Sequence, residues 1–419
     1  MRLCLSLISD NMNNSQRTLV RPLLIIGAMY AILGFSIGIN AFFIPFVQQA
    51  FNISTAMSYL IMTATFAAYV VFGIPTGTII KKIGYKSGIS VSFLLIAVGF
   101  LVIGYAASIS SFALFLLALF VSGMGQTLLT SAVNSYVTIL GPPESAASRI
   151  CMMGICDKVF FAGASLILAS FLQLSRVRLA DVITPFYLIG CLLILLAVIS
   201  YFSPLPELKA NGEDESDALS PMSVSANAKT SIFQFPHLLL GVLAIFFDVG
   251  VEIIALGSIN DYATILHLPA PENYVWYTVA GMVAGYIVGV TLIPKVLSQN
   301  TALLLCTVLG IVTTMGIVLV PAGMSIYLIT ILGLSNSLLW PAIFPLALAD
   351  LGKFTKRGSS ILVMGIIGGA ILPLIYGYVA DISSHQLAYL VCLPSYVFIL
   401  YYAIIGSKIR TNPVLPVVY

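Results

Sequence analysis

The chain has 419 residues, of which 60% are hydrophobic and only 8% are charged, and its net charge is +3. A soluble chain carries roughly a quarter charged residues, so this composition excludes a soluble fold and makes the lipid bilayer the solvent. The small, scattered net charge gives no basis for nucleic-acid binding.

Apolar runs separated by charged residues, proline or glycine predict twelve transmembrane helices of about 20 residues each. The first six cover residues 22–48, 56–80, 89–107, 111–138, 150–174 and 183–203. The last six cover residues 237–260, 274–297, 301–321, 324–350, 359–380 and 385–406. The predicted fold class is therefore an all-α membrane protein, with twelve transmembrane helices in two six-helix halves.

The polar segment 204–236 separates the two halves and is predicted to be a flexible linker. Most of the 18 Lys and Arg residues fall on the linker side of the predicted spans, and only Arg176 and Arg178 are assigned to the other side. The positive-inside rule then puts the linker and both termini in the cytoplasm. The predicted regions are an N-terminal tail, an N-terminal bundle, the linker, a C-terminal bundle and a C-terminal tail, at residues 1–21, 22–203, 204–236, 237–406 and 407–419.

Two six-helix halves joined by a cytoplasmic linker are typical of a parallel-repeat transporter, whose substrate binds near the midplane between the halves. Glycines repeat at four-residue spacing in the eighth span, at Gly281, Gly285 and Gly289. Such a face lets helix backbones approach closely in lipid.

Ionisable residues inside a membrane are costly, by at least roughly 2.5–3.5 kcal/mol each, and therefore mark functional sites. Asp157 lies about 12 Å from the cytoplasmic end of span 5, too deep for its short side chain to reach the headgroups. Lys158 either snorkels to the interface or has a functional role. Because adjacent helical residues point about 100° apart, we expect no direct ion pair between these two.

Asp248 lies roughly 16 Å into span 7, near the bilayer midplane, and Glu252 lies one helical turn further on. Two carboxylates on one face of a low-dielectric site cannot both ionise cheaply, so we expect at least one to bind a proton. Asp157, Asp248 and Glu252 are the predicted ion-coupling residues. A hydrogen-bonded structural pair is the alternative interpretation for Asp248 and Glu252.

Neutral polar side chains also lie deep in spans 1, 4 and 10. Spans 1, 4, 7 and 10 occupy related positions in the repeated six-span plan. With Asp157, these side chains are predicted to bind the hydroxyl groups of a substrate, although any single Asn could equally join two helices. The predicted substrate-binding residues are Asn40, Gln126, Thr130, Asn134, Asp157, Asn336 and Trp340.

Four stretches resemble a known family. The loop between spans 2 and 3 reads PTGTIIKKIGYK, from Pro75 to Lys86, and resembles the Gly-rich basic loop of the major facilitator superfamily. Asn134–Pro142, with Glu144 and Arg149 after it, and Leu351–Ser359, which runs into Val363–Ala370, resemble the fucose:proton symporter family, as does Phe46–Phe51. The resemblance implies an importer of fucose, glucose, galactose or a related hexose.

The chain departs from this family at the coupling positions. Proton-coupled members carry Asp where this chain has Ala41 and Glu where it has Thr130. In span 5, Asp157 stands where members usually have Asn. In span 7, Asp248 stands where members have Tyr, and the Glu of the family pattern is retained as Glu252. The coupling ion and the sugar therefore cannot simply be inherited from the resemblance.

The leading hypothesis is a secondary active sugar transporter of the bacterial inner membrane, a monomer coupled to protons and working by alternating access. The same fold carrying an amino sugar, a cell-wall fragment or another polar metabolite stays open, as does a sodium-coupled or uncoupled carrier. A membrane sensor or enzyme is disfavoured, because no Ser-His-Asp set, metal cluster or phosphate loop is visible. We expect no catalytic residues, metal or cofactor.

Overall fold

The computed structural model describes residues 14–51, 60–171, 179–205, 231–269 and 273–410. Arg176, Arg178 and most of the predicted linker lie outside these described residues, and so does the tail beyond residue 410. For Ala41 the backbone is described but not the side chain, so the prediction at this position also falls outside.

The N-terminal half contains six helices. They are α1 (Asn14–Ala50), α2 and α3 (within the run Leu60–Ser108), α4 (Phe112–Ile139), α5 (Ala146–Phe171) and α6 (Leu179–Phe202). At 1.5 Å per residue, the 49-residue run would span about 74 Å, more than twice the hydrocarbon thickness of a bilayer. The run breaks at Gly84, whose φ of 81° and ψ of 173° belong to a region that essentially only glycine adopts.

The C-terminal half repeats this plan with three continuous helices and three that are built from shorter segments. Helices α7 (Pro236–Ile265), α8 (Val275–Leu292) and α9 (Gln299–Leu319) are continuous. The other three combine shorter segments: α10 (Ala322–Ser337 and Leu339–Leu348), α11 (Thr355–Met364, Gly365–Ile367 and Gly368–Ile382) and α12 (His385–Ala388, Tyr389–Val391 and Cys392–Ile404).

Within the described part of the chain, ten helical stretches are long and apolar enough to cross a membrane, and one of them is the α2–α3 run that Gly84 divides. Helix α5 carries Asp157 and Lys158 and completes twelve crossings. The prediction of an all-α, twelve-helix membrane fold is confirmed. Helix α1 begins at Asn14, before the predicted membrane boundary at residue 22.

The interface between α1–α6 and α7–α12, which we call the seam, is formed mainly by α5 against α8 and by α2 and α4 against α11. The end of the bundle with the α2–α3, α4–α5, α8–α9 and α10–α11 loops is called the basic end, because it carries Lys81, Lys82, Lys356 and Arg357. These loops alternate with those at the opposite end, as twelve antiparallel crossings require.

Hydrogen bonds join the two halves near the basic end. The Ser131 hydroxyl on α4 lies 3.1 Å from that of Ser359 and 3.2 Å from that of Ser360 on α11. The Gln299 amide donates to the Pro143 carbonyl at 2.7 Å, and the Ser148 hydroxyl donates to the Val290 carbonyl at 3.1 Å. The seam is therefore held together on this side of the membrane.

The glycine repeat of α8 permits the close packing expected from the sequence. Gly281 faces the backbone of Thr330 on α10, Gly285 faces Ser337, and Gly289 faces Cys151 across the seam. We expect Gly281→Leu to lower the stability by roughly 1–3 kcal/mol, because its side chain would overlap the α10 backbone.

Thermal unfolding in detergent measures this effect, and Gly377→Leu on α11 is the matched control. Gly377 also lies in a membrane helix, but an added Cβ there meets no atom within 4 Å. We expect the control to melt close to the wild type. If both variants melt at the same temperature as the wild type, α8 and α10 are not packed as described.

Candidate functional site

A cavity of about 100 Å³ lies at the seam and is lined by residues of both halves. Its polar lining comprises Thr130 and Asn134 of α4, Asp157 and Lys158 of α5, and Glu252 of α7. Six aromatic side chains also line the cavity: Tyr30, Phe66, Tyr69, Phe161, Tyr286 and Trp340. The structure thus brings four of the predicted substrate-binding residues and two of the predicted coupling residues to one cavity.

Small residues hold α5 in place at the centre of the seam. On α1, Gly34 faces the backbone of Asp157 and Gly38 faces that of Phe161, so α1 and α5 approach closely. On the other side, Gly154 of α5 faces the ring of Tyr286 on α8. A side chain at any of these glycines would push α5 away from a neighbour, and the charged residues of α5 would move with it.

Three charged side chains form a chain of ion pairs across the cavity. The Lys158 ammonium lies 2.9 Å from a carboxylate oxygen of Asp157 on its own helix and 2.5 Å from one of Glu252 on α7. The expectation of no direct pair between Asp157 and Lys158 was wrong. The 100° separation applies to the Cβ directions, and the four-carbon stem of lysine is long enough to bend back to its neighbour.

Lys158 does not snorkel to the membrane interface, so that interpretation is also wrong. Its side chain is only 14% exposed, and its ammonium lies 6.0 Å from the centre of the Phe161 ring as well as between the two carboxylates. Removing one partner of a buried ion pair costs roughly 3–5 kcal/mol, because an uncompensated charge remains. The three charges therefore depend on one another.

Asp248 lies one turn before Glu252 on α7, but it is fully buried and does not line the cavity. Neither of its carboxyl oxygens bonds to any residue that the structure describes. The charges of Glu252 and Lys158 act on it. A buried carboxyl without a hydrogen-bond partner is costly to ionise, so Asp248 differs in kind from the paired Asp157 and Glu252.

Asn134 connects three helices at the cavity wall. Its side-chain oxygen accepts hydrogen bonds from the Tyr30 hydroxyl at 2.6 Å and from the Trp340 indole N–H at 2.9 Å. Its amide nitrogen donates to the backbone carbonyl of Thr130 at 2.8 Å. Because the bond to Trp340 crosses the seam, Asn134 fixes the positions of aromatic groups from both halves.

Trp340 and Pro341 line the cavity where α10 is interrupted. The first segment ends at Ser337, and the second begins at Leu339, so Pro341 lies in its first turn, where a missing N–H is tolerated. The Trp340 ring stacks on Phe344 one turn further along. Interrupted helices at the seam are typical of transporter binding sites.

Three of the predicted substrate-binding residues lie away from the cavity. Asn40 donates to the Thr65 hydroxyl at 3.1 Å, and Gln126 donates to the Ser122 hydroxyl at 3.2 Å. Asn336 accepts from the Tyr396 hydroxyl at 2.5 Å and donates to the Val251 carbonyl at 3.4 Å. Asn40 and Asn336 thereby join helices, and the predicted substrate contacts of all three residues remain predictions.

The sequence reasoning did not select the tyrosines of the cavity. Tyr30, Tyr69 and Tyr286 all line it, and each lies well inside a predicted span rather than at the interface, where tyrosine is usual. Their depth within the predicted spans was the signal in the sequence that could have identified them. Within the described residues, no cluster of three His, Cys, Asp or Glu side chains could hold a metal ion.

Two six-helix halves around a charged, aromatic-lined cavity define a multi-pass membrane carrier. Residues 26–366 match the sequence profile of the Major Facilitator Superfamily. The chain belongs to this superfamily and, within it, to the family of the fucose:proton symporters and glucose/galactose carriers, as its motifs predicted.

The relatives match over almost their full length. A glucose/galactose transporter of Brucella abortus biovar 1 (strain 9-941) is 34% identical, covering 91% of this chain and 92% of its own. The L-fucose-proton symporter of Escherichia coli (strain K12) is 27% identical, over 96% and 97%. The structure of the transporter FucP in its outward conformation matches with a TM-score of 0.76 at 25% identity, over 92% of this chain and 98% of that one.

Proposed function

We propose that the protein is a secondary active transporter that imports a monosaccharide (fucose, glucose, galactose or a related hexose) by proton symport and alternating access. The observation that carries this proposal is the ion pair between Lys158 and Glu252, which crosses the seam inside the cavity. A charge pair between the two halves, placed where the substrate binds, can respond to both a proton and a sugar.

The lining of the cavity suits a sugar. Aromatic rings pack against the C–H faces of a pyranose, and the ring edges and the polar groups of α4 and α5 meet its hydroxyls. We assign recognition to Thr130, Asn134, Asp157 and Trp340, with Asn134 acting through the two aromatic groups that it holds. The names of the relatives, a glucose/galactose transporter and an L-fucose-proton symporter, support this substrate class.

Ion coupling is assigned to Asp157, Asp248 and Glu252. The carboxylates that family members carry in spans 1 and 4 are replaced here by Ala41 and Thr130. Two other acids, Asp157 and Glu252, lie at the cavity, and Asp248 lies one turn away. Asp157 and Asp248, which depart from the family pattern, and the retained Glu252 together preserve the means of binding a proton during transport.

The proposed location is the bacterial inner membrane, with the basic end in the cytoplasm, both termini on the same side and one chain as the transporting unit. The distribution of Lys and Arg supports this orientation. It agrees with an outward-facing state, since the hydrogen-bonded seam near the basic end would then close the cytoplasmic side. FucP, which the fold resembles, was captured in its outward conformation.

Uptake by purified protein in proteoliposomes tests the proposal. We expect radiolabelled D-glucose, D-galactose or L-fucose to accumulate when the vesicle interior is made alkaline, and to equilibrate without accumulating when no gradient is imposed. If a sodium gradient drives accumulation instead, sodium is the coupling ion. If uptake responds to neither gradient, the protein is an uncoupled facilitator. A panel in which none of these sugars enters would overturn the substrate class.

A second candidate substrate is an amino sugar. The described charged residues of the cavity are two carboxylates and one ammonium, which leaves a formal net charge of −1 when all three are ionised. The ammonium of an amino sugar could supply the missing charge. Stronger competition by D-glucosamine than by D-glucose in the uptake assay would favour this candidate.

A further inference from the structure

Lys158 is not among the sugar-binding and ion-coupling residues assigned above, although it is the group that joins the charges of the two halves. Its ammonium contacts Asp157 of the N-terminal half and Glu252 of the C-terminal half, at 2.9 and 2.5 Å. The two carboxylates are attached to different halves, so only one of them moves with Lys158 when the halves rock. The pair with Asp157 is internal to α5, whereas the pair with Glu252 crosses the seam.

We propose that Lys158 is the cavity's built-in counter-ion and that its bond to Glu252 locks the two halves until a proton replaces it. In the locked state the ammonium of Lys158 neutralises Glu252. A proton from the outer solution then binds the Glu252 carboxylate and yields a neutral acid, and Lys158 keeps Asp157 as its partner. The seam loses its ion pair, the halves rock around the bound sugar, and the proton leaves Glu252 on the inner side.

Other groups around the pair fit this assignment. Among the described residues, the other titratable groups around this cluster are Tyr286 on α8, Tyr30 on α1, Tyr69 on α2 and Asp248 on α7. The tyrosines can donate hydrogen bonds but add no cation. Lys158 is therefore the one ammonium that the described cavity lining offers to either carboxylate.

Charge arithmetic makes the roles of the two partners unequal. Glu252→Gln mimics the protonated acid, so Asp157 and Lys158 remain as a neutral pair and the seam is unlocked. Lys158→Met instead leaves Asp157 and Glu252 without a cation in a low-dielectric site. Adding Glu252→Gln to Lys158→Met removes one of the two uncompensated charges. The second substitution is therefore expected to repair part of the damage done by the first.

The test separates sugar exchange from proton-driven accumulation, and it rests on the proposed function, since it uses the sugar that the wild type carries. Proteoliposomes loaded with unlabelled D-galactose, D-glucose or L-fucose report exchange as counterflow of the labelled sugar without any gradient. The same vesicles under an inside-alkaline gradient report accumulation. Asp181→Asn, an exposed carboxyl in the first turn of α6, is the control for removal of an acid remote from the cavity.

We expect Glu252→Gln to keep counterflow at about a tenth or more of the wild-type rate and to lose accumulation, with an inside-to-outside ratio near one. Lys158→Met should lower counterflow by at least roughly tenfold, and the double variant should regain counterflow without accumulation. Asp181→Asn should match the wild type in both assays.

Accumulation by Glu252→Gln at the wild-type level would overturn the role of the bond between Lys158 and Glu252. So would a double variant that exchanges sugar no faster than Lys158→Met alone. If Lys158→Met does not fold, the result for Glu252→Gln still decides. A wild-type protein that carries none of the three sugars refutes the proposed function itself, which is a separate and recognisable failure.

Discussion

Replacing Asn134 with leucine is expected to raise the sugar concentration for half-maximal uptake by roughly 10- to 100-fold. The Asn134 oxygen is the acceptor for both the Tyr30 hydroxyl and the Trp340 indole N–H. Leucine has a similar size but no acceptor, so two donors at the cavity wall lose their partner. A buried donor left unsatisfied costs roughly 1–3 kcal/mol, and about 1.4 kcal/mol corresponds to a factor of ten in affinity.

Initial rates of uptake at increasing sugar concentration measure this effect, and Asn40→Leu is the matched control. Asn40 is also a buried asparagine, but its described hydrogen bond goes to Thr65, away from the cavity. We expect Asn40→Leu to lower the melting temperature and leave the half-saturating concentration within about threefold of the wild type. If the two variants shift that concentration equally, Asn134 has no special role in sugar binding.

A double-mutant cycle with Trp340→Phe tests the mechanism of the Asn134 effect. Phenylalanine keeps an aromatic face but removes the N–H that Asn134 accepts. Residues in direct contact show coupling energies of roughly 0.5–3 kcal/mol, so Asn134→Leu should be less harmful in the Trp340→Phe background than in the wild type. Strict additivity would mean that Asn134 acts on the sugar directly, as the sequence alone predicted.

The fold could be predicted almost completely from the sequence, because the bilayer imposes strong rules. Unpaired backbone groups are costly in hydrocarbon, so apolar runs of this length must form helices. The position of the polar segment 204–236 outside the membrane remains a prediction. The exact boundaries of the helices were harder to predict. The interruption of α10 before Trp340 arises from local geometry near Pro341 that hydropathy does not register.

The site could be predicted only in part, because side-chain length and partner choice are properties of the folded bundle. Asp157 and Glu252 were selected because charge is rare in membrane spans, and both lie at the cavity. Lys158 was misjudged because helical angles describe Cβ directions and not the reach of a long side chain. Asn336 and Asn134 have the same chemistry in the sequence, and only packing places one between helices and the other at the cavity.

Asp248→Leu is expected to stabilise the folded protein while it lowers proton-driven accumulation of sugar. The carboxyl of Asp248 is fully buried and bonds to no residue that the structure describes. An unsatisfied buried polar group costs roughly 1–3 kcal/mol, and replacing it with an apolar side chain is neutral or stabilising. A residue that is kept at the expense of stability is typical of a functional site.

Asn336→Leu is the matched control for this prediction, because Asn336 is also buried in the C-terminal half but has hydrogen bonds to Tyr396 and Val251. Its removal leaves the Tyr396 hydroxyl without its described acceptor, so we expect a lower melting temperature, opposite in sign to that of Asp248→Leu. Thermal unfolding and accumulation ratios together decide the role of Asp248. A destabilised Asp248→Leu variant would show that the carboxyl has a structural partner. A stabilised variant that still accumulates sugar would exclude Asp248 from coupling and leave Asp157, Lys158 and Glu252 to perform it.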